Sequence, residues 1–380
     1  MIRVVIQQPS LAKYRVPVFR ELAKRPDIDL HVVYGTRPDL PNVEPVGFRA
    51  TPYPLHYFKL GRAVACYHAP QWRFASRRHC DVIIQTWNAR YVALWPGLAR
   101  ARFSRLGTIL WGHGYSKRGN GVNHTVRAGL SRWATALLFY NYQTRERYIE
   151  QGFDPSRLFV ALNTLDRSEM KAAQTYWQSN PDLLARWRND QHIANRRVAL
   201  YVSRLDPNNR LDWLIEALPQ VVRQVPEALV VIVGGGESQY IESLRATAVR
   251  LGVSDSVRFV GPVYDERDLA PWFLSARLFC YPTNIGLSLI HSLIYGLPVI
   301  TGRDRSRHNP EIEAFTAGVN GLDFADGDIA ELAEQLVSCL SNDALRDRLA
   351  AGAAASVAER FTLSEMVDGM EAAIRYACPR

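Results

Sequence analysis

The residues best suited to chemistry stand in short polar turns that follow apolar runs. Residues 281–301, YPTNIGLSLIHSLIYGLPVIT, join the end of a buried strand, a tight turn at 283–286 and an almost wholly apolar helix that Gly296 and Pro298 stop. A turn at a helix N-terminus presents backbone N–H groups and the positive end of the helix dipole to an anion. Gly286 removes the side chain that would keep a phosphate away. Thr283, Asn284, Gly286, Leu287 and His291 are therefore candidates to hold an anionic ligand. The i, i+4, i+7 spacing of Asn284, Ser288 and His291 lines them along one face beneath the turn.

Other strand exits carry matching chemistry. Arg204, in SRLDPNNR, is placed to offer a forked guanidinium to a phosphate, with Asn209 and Arg210 five and six residues on. The alternative for Arg204 is a surface salt bridge with Asp206 or Asp212. Gly235, in the Gly234–Gly236 run, would let a ligand approach backbone closely, although the run lacks the glycine spacing of a dinucleotide site. Val263 is a further strand exit, where a base could meet backbone atoms. Glu311 sits in the polar loop 307–313, expected to overhang the same cleft. In the first half, His113 lies between two glycines, where an imidazole can exchange a proton with a sugar hydroxyl or face developing charge; its alternative is a satisfied, partly buried histidine. Ser10, Tyr14 and Arg15 follow the first strand, and Lys117 and Arg118 follow His113. Both loops are polar, basic and aromatic.

Positioning these turns requires strands, and the chain supplies them with a regular rhythm. Apolar runs at 2–8, 30–35, 81–87, 108–112, 136–141 and 158–163 alternate with helix-like segments. The rhythm restarts at 197–203 and continues at 229–233, 257–260, 279–282 and 319–324. Strands apolar on both faces and separated by helices form open, doubly wound parallel sheets whose ligands bind beyond the strands' carboxyl ends. The expected fold class is α/β: two Rossmann-like doubly wound domains facing each other across a cleft, with C-terminal helices packing back on them. Residues 1–170 form the first domain, 171–195 a polar linker that is helical at 182–188, 196–360 the second domain, and 361–380 a terminal helix that packs against the first.

With 380 residues, two cores are expected. The 28 Lys and Arg against 13 Asp and Glu in residues 1–190 give +15, whereas residues 191–380 carry −6. The basic half calls for an acidic neighbour: an anionic membrane surface, a phosphate-bearing substrate or nucleic acid. Phe103 and Trp95 beside the arginines of 100–105 suit a membrane-facing patch. Five cysteines without Cys-x-x-Cys spacing indicate neither a disulfide framework nor a zinc site. The absence of a long apolar run and of a signal-peptide core predicts a cytoplasmic location, with peripheral contact at the inner face of the cytoplasmic membrane.

The order strand-RLDPxxxLDxLI, then VIVGGG, then VxFVGPV, then GLxLIxxLxYGLPVI resembles the C-terminal domain of family 4 glycosyltransferases. WGHG at 111–114 and NTLD at 163–166 extend the likeness more loosely into the first half. The resemblance implies the glycosyltransferase B architecture and a retaining, metal-independent transfer of a sugar. The donor is a nucleoside diphosphate sugar of UDP or GDP type, held mainly by the second domain and needing no further cofactor. The acceptor, a glycan or polyprenyl-diphosphate-linked glycan of bacterial surface polysaccharide synthesis, belongs to the first domain. Residue by residue, the resemblance makes Arg204 the diphosphate-binding arginine, His113 the histidine near the donor sugar, and Gly286 and Leu287 backbone donors to the diphosphate. With the strand-exit and turn residues added, catalysis is expected of His113, Arg204, His291 and Glu311; donor binding of Arg204, Asn209, Arg210, Gly235, Val263, Thr283, Asn284, Gly286, Leu287 and His291; and acceptor binding of Ser10, Tyr14, Arg15, Lys117 and Arg118. Three positions depart from the family. Asn209 replaces a usual lysine, and Thr283 and His291 replace two glutamates eight residues apart that contact the donor sugar and ribose. A catalytically degenerate sugar-nucleotide-binding or scaffolding protein is the alternative. A nicotinamide dehydrogenase is disfavoured by the missing glycine fingerprint, and nothing beyond the basic charge points to nucleic acid.

Overall fold

The computed structural model describes residues 1–37, 41–60, 63–115 and 128–379. The chain divides into two compact units, Met1–Asn163 with Thr362–Arg380, and Thr164–Phe361.

The first unit is built on a seven-stranded sheet whose pairings are all parallel. Its spatial order is Arg49–Pro52, Ile28–Tyr34, Ile2–Gln8, Val82–Thr86, Gly107–Trp111, Ala136–Phe139 and Leu158–Val160. The interior strands are mainly apolar because both faces are covered, with Gln7, Gln85 and Thr108 as buried polar exceptions. Phe19 and Leu22 of the Val16–Ala23 helix share one face with Met366, Val367, Met370 and Ile374 of the Leu363–Ala377 helix. Leu94 and Leu98 pack on the other. The terminal helix lies so close that a Cβ on Gly369 would fall 1.9 Å from the Val160 carbonyl oxygen. An antiparallel hairpin, Leu55–Leu60 with Ala63–His68, was not expected. Its exposed Tyr57, Phe58, Val64 and Tyr67 blur the in–out alternation that would have revealed it.

The second unit holds a six-stranded parallel sheet in the order Val257–Gly261, Ala228–Val233, Arg197–Val202, Ala276–Cys280, Val299–Gly302 and Gly321–Phe324. Residues 171–195, expected as a linker, instead belong largely to two helices, Arg167–Gln178 and Pro181–Asp190, that pack on the Glu266–Ser275 helix. Trp177 Nε1 donates to the Arg267 carbonyl at 2.8 Å, Arg188 Nη2 donates to the Leu274 carbonyl at 2.8 Å, and the Trp187 and Trp272 rings meet at 4.7 Å. The first helix buries only the narrow stripe Met170, Ala173 and Trp177 and the second buries no residue fully, so most of their positions are polar and the composition reads as linker.

A buried polar cluster lies in the first unit. Thr86 N–H donates to Gln7 Oε1 at 3.0 Å, which turns Gln7 Nε2 toward His68 Nδ1 at 2.8 Å, so Nδ1 accepts and the imidazole is neutral. Burial pushes His68 down from 6.5 to about 4.

Two predictions follow from this packing. Gly369→Ala should lower stability by about 1–3 kcal/mol in urea unfolding, since backbone must move to admit the methyl group. For His68, the unfolded chain takes up a proton between pH 6.5 and about 4 while the folded chain does not. Its contribution is therefore intact above pH 6.5 and lost as pH falls through that window, by about 3 kcal/mol in total. His68→Gln should flatten that part of the stability–pH curve, measured by unfolding at a series of pH values.

Candidate functional site

In the second unit, the loop after the Arg197–Val202 strand and the turn after the Ala276–Cys280 strand meet at the carboxyl edge of the sheet. They enclose a cavity of about 270 Å³, lined by Ser203, Arg204, Asp206, Asn209, Tyr281, Asn284, Gly286, Leu287, Ser288 and Asn309.

Arg204 is exposed on its wall, and among the described residues no hydrogen bond or ion pair engages its guanidinium. The salt-bridge alternatives are otherwise occupied. Asp206 Oδ1 accepts from the Asn208 backbone and side chain at 2.9 and 2.7 Å, and Asp212 pairs with Arg210 at 2.7 Å. Arg210, expected as a substitute phosphate cation, is therefore corrected. Its backbone is left-handed (φ 53°), its guanidinium is held by Asp212 and lies 4.3 Å from the Trp213 ring centroid, and it does not line the cavity.

Asn209 is buried and connects the two loops. Its Nδ2 donates to the Arg204 carbonyl at 2.9 Å and to the Tyr201 hydroxyl at 3.0 Å, while its Oδ1 accepts from Asn284 Nδ2 at 2.9 Å. Tyr201 and Tyr281 pack ring against ring at 4.8 Å, and Tyr281 donates to Ser203 Oγ at 3.2 Å. Burial pushes both phenols up, so they stay protonated and serve as fixed donors.

The opposite side is the turn before the Leu287–Ile294 helix. Asn284 takes the left-handed conformation (φ 63°), Gly286 is the N-cap, and no side chain caps this end. Leu289 N–H turns back to the Gly286 carbonyl at 2.9 Å, which leaves the Leu287 and Ser288 N–H groups without an intrahelical acceptor. A third loop braces the turn. His308, wholly buried, has Nε2 2.9 Å from the Gly302 carbonyl, an acceptor only, so Nε2 carries the proton and Nδ1 accepts from Ile285 N–H at 3.3 Å. Asn309 Nδ2 donates to the Asn284 carbonyl at 2.8 Å, and a Cβ on Gly286 would meet that nitrogen at 3.2 Å.

Several expectations are redirected. Asn284 and Ser288 line the cavity, but His291 does not, because the helix begins at Leu287 and the helical spacing cannot be counted from Asn284. His291 Nε2 donates to Glu266 Oε1 at 2.9 Å, its ring stacks on Phe273 at 4.5 Å, and Tyr295 donates to the same oxygen at 2.7 Å. Burial, and then the Glu266 carboxylate, pushes the Tyr295 phenol up. Thr283 is buried outside the lining with no partner for Oγ1. Glu311 is buried in the Pro310–Ala314 turn rather than overhanging the cavity. Gly235 is corrected too: a Cβ there would meet only Pro262 at 3.7 Å, whereas Cβ atoms on Gly234 and Gly236 would fall 1.8 and 2.4 Å from the Ser203 and Leu205 carbonyl oxygens. The run seats the Arg204 loop, and Gly235 and Val263 both lie outside the cavity lining. Sequence reasoning missed Ser203, Asp206, Tyr281 and Asn309 as lining residues. Their positions at a strand end and within the polar turns were the available signal.

In the first unit, His113 is exposed just past the Gly107–Trp111 strand, with its ring 5.0 Å from Tyr140. Its flanking glycines are demanded by close packing, of Gly112 on Trp87 and of Gly114 (φ 66°) on Thr144, Phe139 and Tyr148. Ser10 and Arg15 are buried, and Tyr14 is half-buried. Lys117 and Arg118 lie outside the described residues.

Residues 196–342 match the model of the family described as glycosyl transferases group 1. A GDP-mannose-dependent alpha-(1-6)-phosphatidylinositol monomannoside mannosyltransferase of Mycolicibacterium smegmatis is 30% identical over 220 residues, 55% of each chain. A phosphatidyl-myo-inositol mannosyltransferase of Mycobacterium leprae is 31% identical over 42% of each. This chain spans about half the length of these curated relatives. Among solved structures, Anabaena Alr3699/HepE in complex with UDP superposes with a TM-score of 0.76 at 20% identity over 98% of both chains. A glycosyltransferase from Rickettsia africae gives 0.73 at 13% identity, over 99% of this chain and 98% of that one. The chain thus has the glycosyltransferase B fold, and its residues 196–342 are a glycosyl transferases group 1 domain.

Proposed function

We propose that the chain is a retaining glycosyltransferase that moves a sugar from a nucleoside diphosphate donor of UDP or GDP type to a glycan or lipid-linked glycan, in bacterial surface polysaccharide synthesis. The observation that carries this reading is the pairing of Arg204, whose guanidinium has no bonded partner among the described residues, with the uncapped helix end at Gly286 in one cavity. A forked cation and a row of N–H donors suit a diphosphate. They also stabilise it most when it departs, since the largest charge then develops there. In the reaction, the bond between the anomeric carbon and the phosphate oxygen breaks, the acceptor oxygen bonds to that carbon, and the hydroxyl proton passes to the leaving phosphate. No separate base is needed, and no metal or further cofactor enters the scheme.

Asn284, Asn209, Gly286 and Leu287 are assigned to the donor through direct contact or through shaping the turn. His291 acts through Glu266, whose carboxylate it orients with Tyr295. His113 is assigned to the sugar. The relatives' names support a nucleotide-sugar donor and an acceptor that carries lipid. No helix among the described residues is long and apolar enough to cross a membrane. Exposed Trp72, Trp95 and Phe103 near Arg73 and Arg100 support peripheral contact with an anionic inner membrane face. Nucleic acid has no part in this reading.

Thermal shift with UDP, GDP, TDP and ADP should identify one stabilising diphosphate. Arg204→Ala should weaken its binding by roughly 10- to 100-fold in titration calorimetry, the loss expected for a charge-assisted fork. Equal affinity in wild type and variant would place the donor elsewhere. Tight diphosphate binding without turnover of any donor sugar would favour the degenerate binding protein, a reading that the His291–Glu266 pairing keeps in view. His291→Ala frees Glu266 from one of its two donors. It should reduce turnover several-fold while leaving affinity for the free diphosphate within about twofold, because it touches no cavity-lining atom.

A further inference from the structure

Arg15 is the one arginine among the described residues that is buried, at 5% exposure. Its guanidinium carbon lies 4.5 Å from the Trp111 ring centroid, 5.1 Å from Tyr14 and 5.2 Å from Tyr140. Its hydrogen-bonding partner among the described residues is Met366 Sδ, a weak acceptor at 4.0 Å from Nη1. No carboxylate or carbonyl oxygen accepts from it among the described residues. By contrast, three more exposed arginines of the same unit have carboxylate partners: Arg3 pairs with Asp81, Arg25 with Asp368 and Glu371, and Arg375 with Glu371. A buried cation without a counter-ion is costly, and three aromatic rings offset only part of that cost. Rings attract the charge through their faces without accepting hydrogen bonds from the guanidinium edge, so the donors of the fork remain available.

The setting points toward an anion. Arg15 is the N-cap residue of the Val16–Ala23 helix, whose positive end adds to its charge. The loop that carries it follows the Ile2–Gln8 strand at the carboxyl edge of the parallel sheet, the side where ligands of such sheets bind. Tyr140, one wall of the box, also lies beside His113, a second basic group. Neither 9–16 nor 112–115 contains an acidic residue. Two basic side chains and a helix end together suit the double charge of a phosphate monoester better than a single carboxylate.

We propose that Arg15, held in the Tyr14–Trp111–Tyr140 box, is the recognition residue for a phosphate group on the acceptor, so that the acceptor is a phosphate-bearing molecule and not a neutral glycan. This inference rests on the glycosyltransferase reading for the word acceptor; the phosphate site itself does not require it. The box holds the guanidinium flat and rigid, and the fork grips two phosphate oxygens, which fixes the acceptor's orientation without taking part in bond making.

The test is titration calorimetry of the whole chain in an Arg204→Ala background, which removes the guanidinium of the cavity in the other unit. Glycerol 1-phosphate, inorganic phosphate, glucuronate and glycerol are the probes, followed by vesicles of phosphatidylcholine with and without phosphatidylglycerol. Glycerol 1-phosphate should bind saturably, glycerol should not, and Arg15→Gln should weaken the phosphate ligand at least about tenfold. Arg15→Lys keeps a cation in the box and guards against misfolding of the glutamine variant; it should weaken binding several-fold, since the fork is lost while the charge stays. Melting curves of both variants check the fold. Unchanged phosphate affinity in a folded Arg15 variant overturns the proposal. Glucuronate binding as tightly as glycerol 1-phosphate overturns the phosphate assignment, and binding to phosphatidylglycerol vesicles alone replaces the acceptor phosphate with a bilayer surface. Arg15-dependent phosphate binding in a chain that never turns over a donor would sink the transferase reading and leave the site standing.

Discussion

The candidate cavity depends on the Asn209 side chain. Its amide touches both loops building the site: Nδ2 holds the Arg204 carbonyl and the Tyr201 hydroxyl, and Oδ1 holds Asn284. Because the Arg204 carbonyl can only accept, that end of the amide must be nitrogen, which leaves the oxygen for Asn284. The bond network therefore has a single consistent arrangement. It fixes the backbone of Arg204 while leaving its guanidinium outside the network, and it fixes Asn284 in a left-handed conformation that turns the chain into the helix at Gly286. A buried, fully used amide of this kind sets geometry more than it adds net stability.

The replacement of a lysine by Asn209 has an electrostatic consequence as well. Arg210, the nearest cation in sequence, is neutralised by Asp212 and held over Trp213, so positive charge in the cavity comes from Arg204 together with the backbone dipoles of the turn. His308 and Asn309 support the same turn from a third loop through backbone acceptors and donors. The neutral supports thus hold the charged group in place without competing with a ligand for it, the arrangement that electrostatic preorganisation requires.

Much of the fold was legible because parallel strands covered on both faces leave continuous apolar runs, and each expected run of the two sheets appears as a strand. What stayed hidden had a different physical basis. The hairpin at 55–68 exposes aromatics on its solvent side, and the Arg167–Gln178 helix buries only Met170, Ala173 and Trp177 in a polar sequence, a stripe too narrow to stand out from the surrounding polar residues. At the site, Arg204, Gly286 and Leu287 could be placed from turn chemistry alone. His291 could not, since its apparent alignment with Asn284 assumed a helix that starts three residues too early. Gly235 was the wrong member of its run for a similar reason: glycine is required where backbone meets backbone, and those contacts fall on Gly234 and Gly236.

The two units also treat positive charge in opposite ways. In the second, Arg204 is exposed and its surroundings are polar, so water can stabilise its charge when no ligand is present. In the first, Arg15 is enclosed by aromatic rings, where water contributes little and no acidic side chain among the described residues compensates. An exposed cation of the first kind pays a dehydration cost when an anion binds, whereas an enclosed one has already been dehydrated during folding. The enclosed arginine is thus the better preorganised of the two for selecting an anion by shape, and the exposed one the better suited to a charge that appears and leaves within each catalytic cycle.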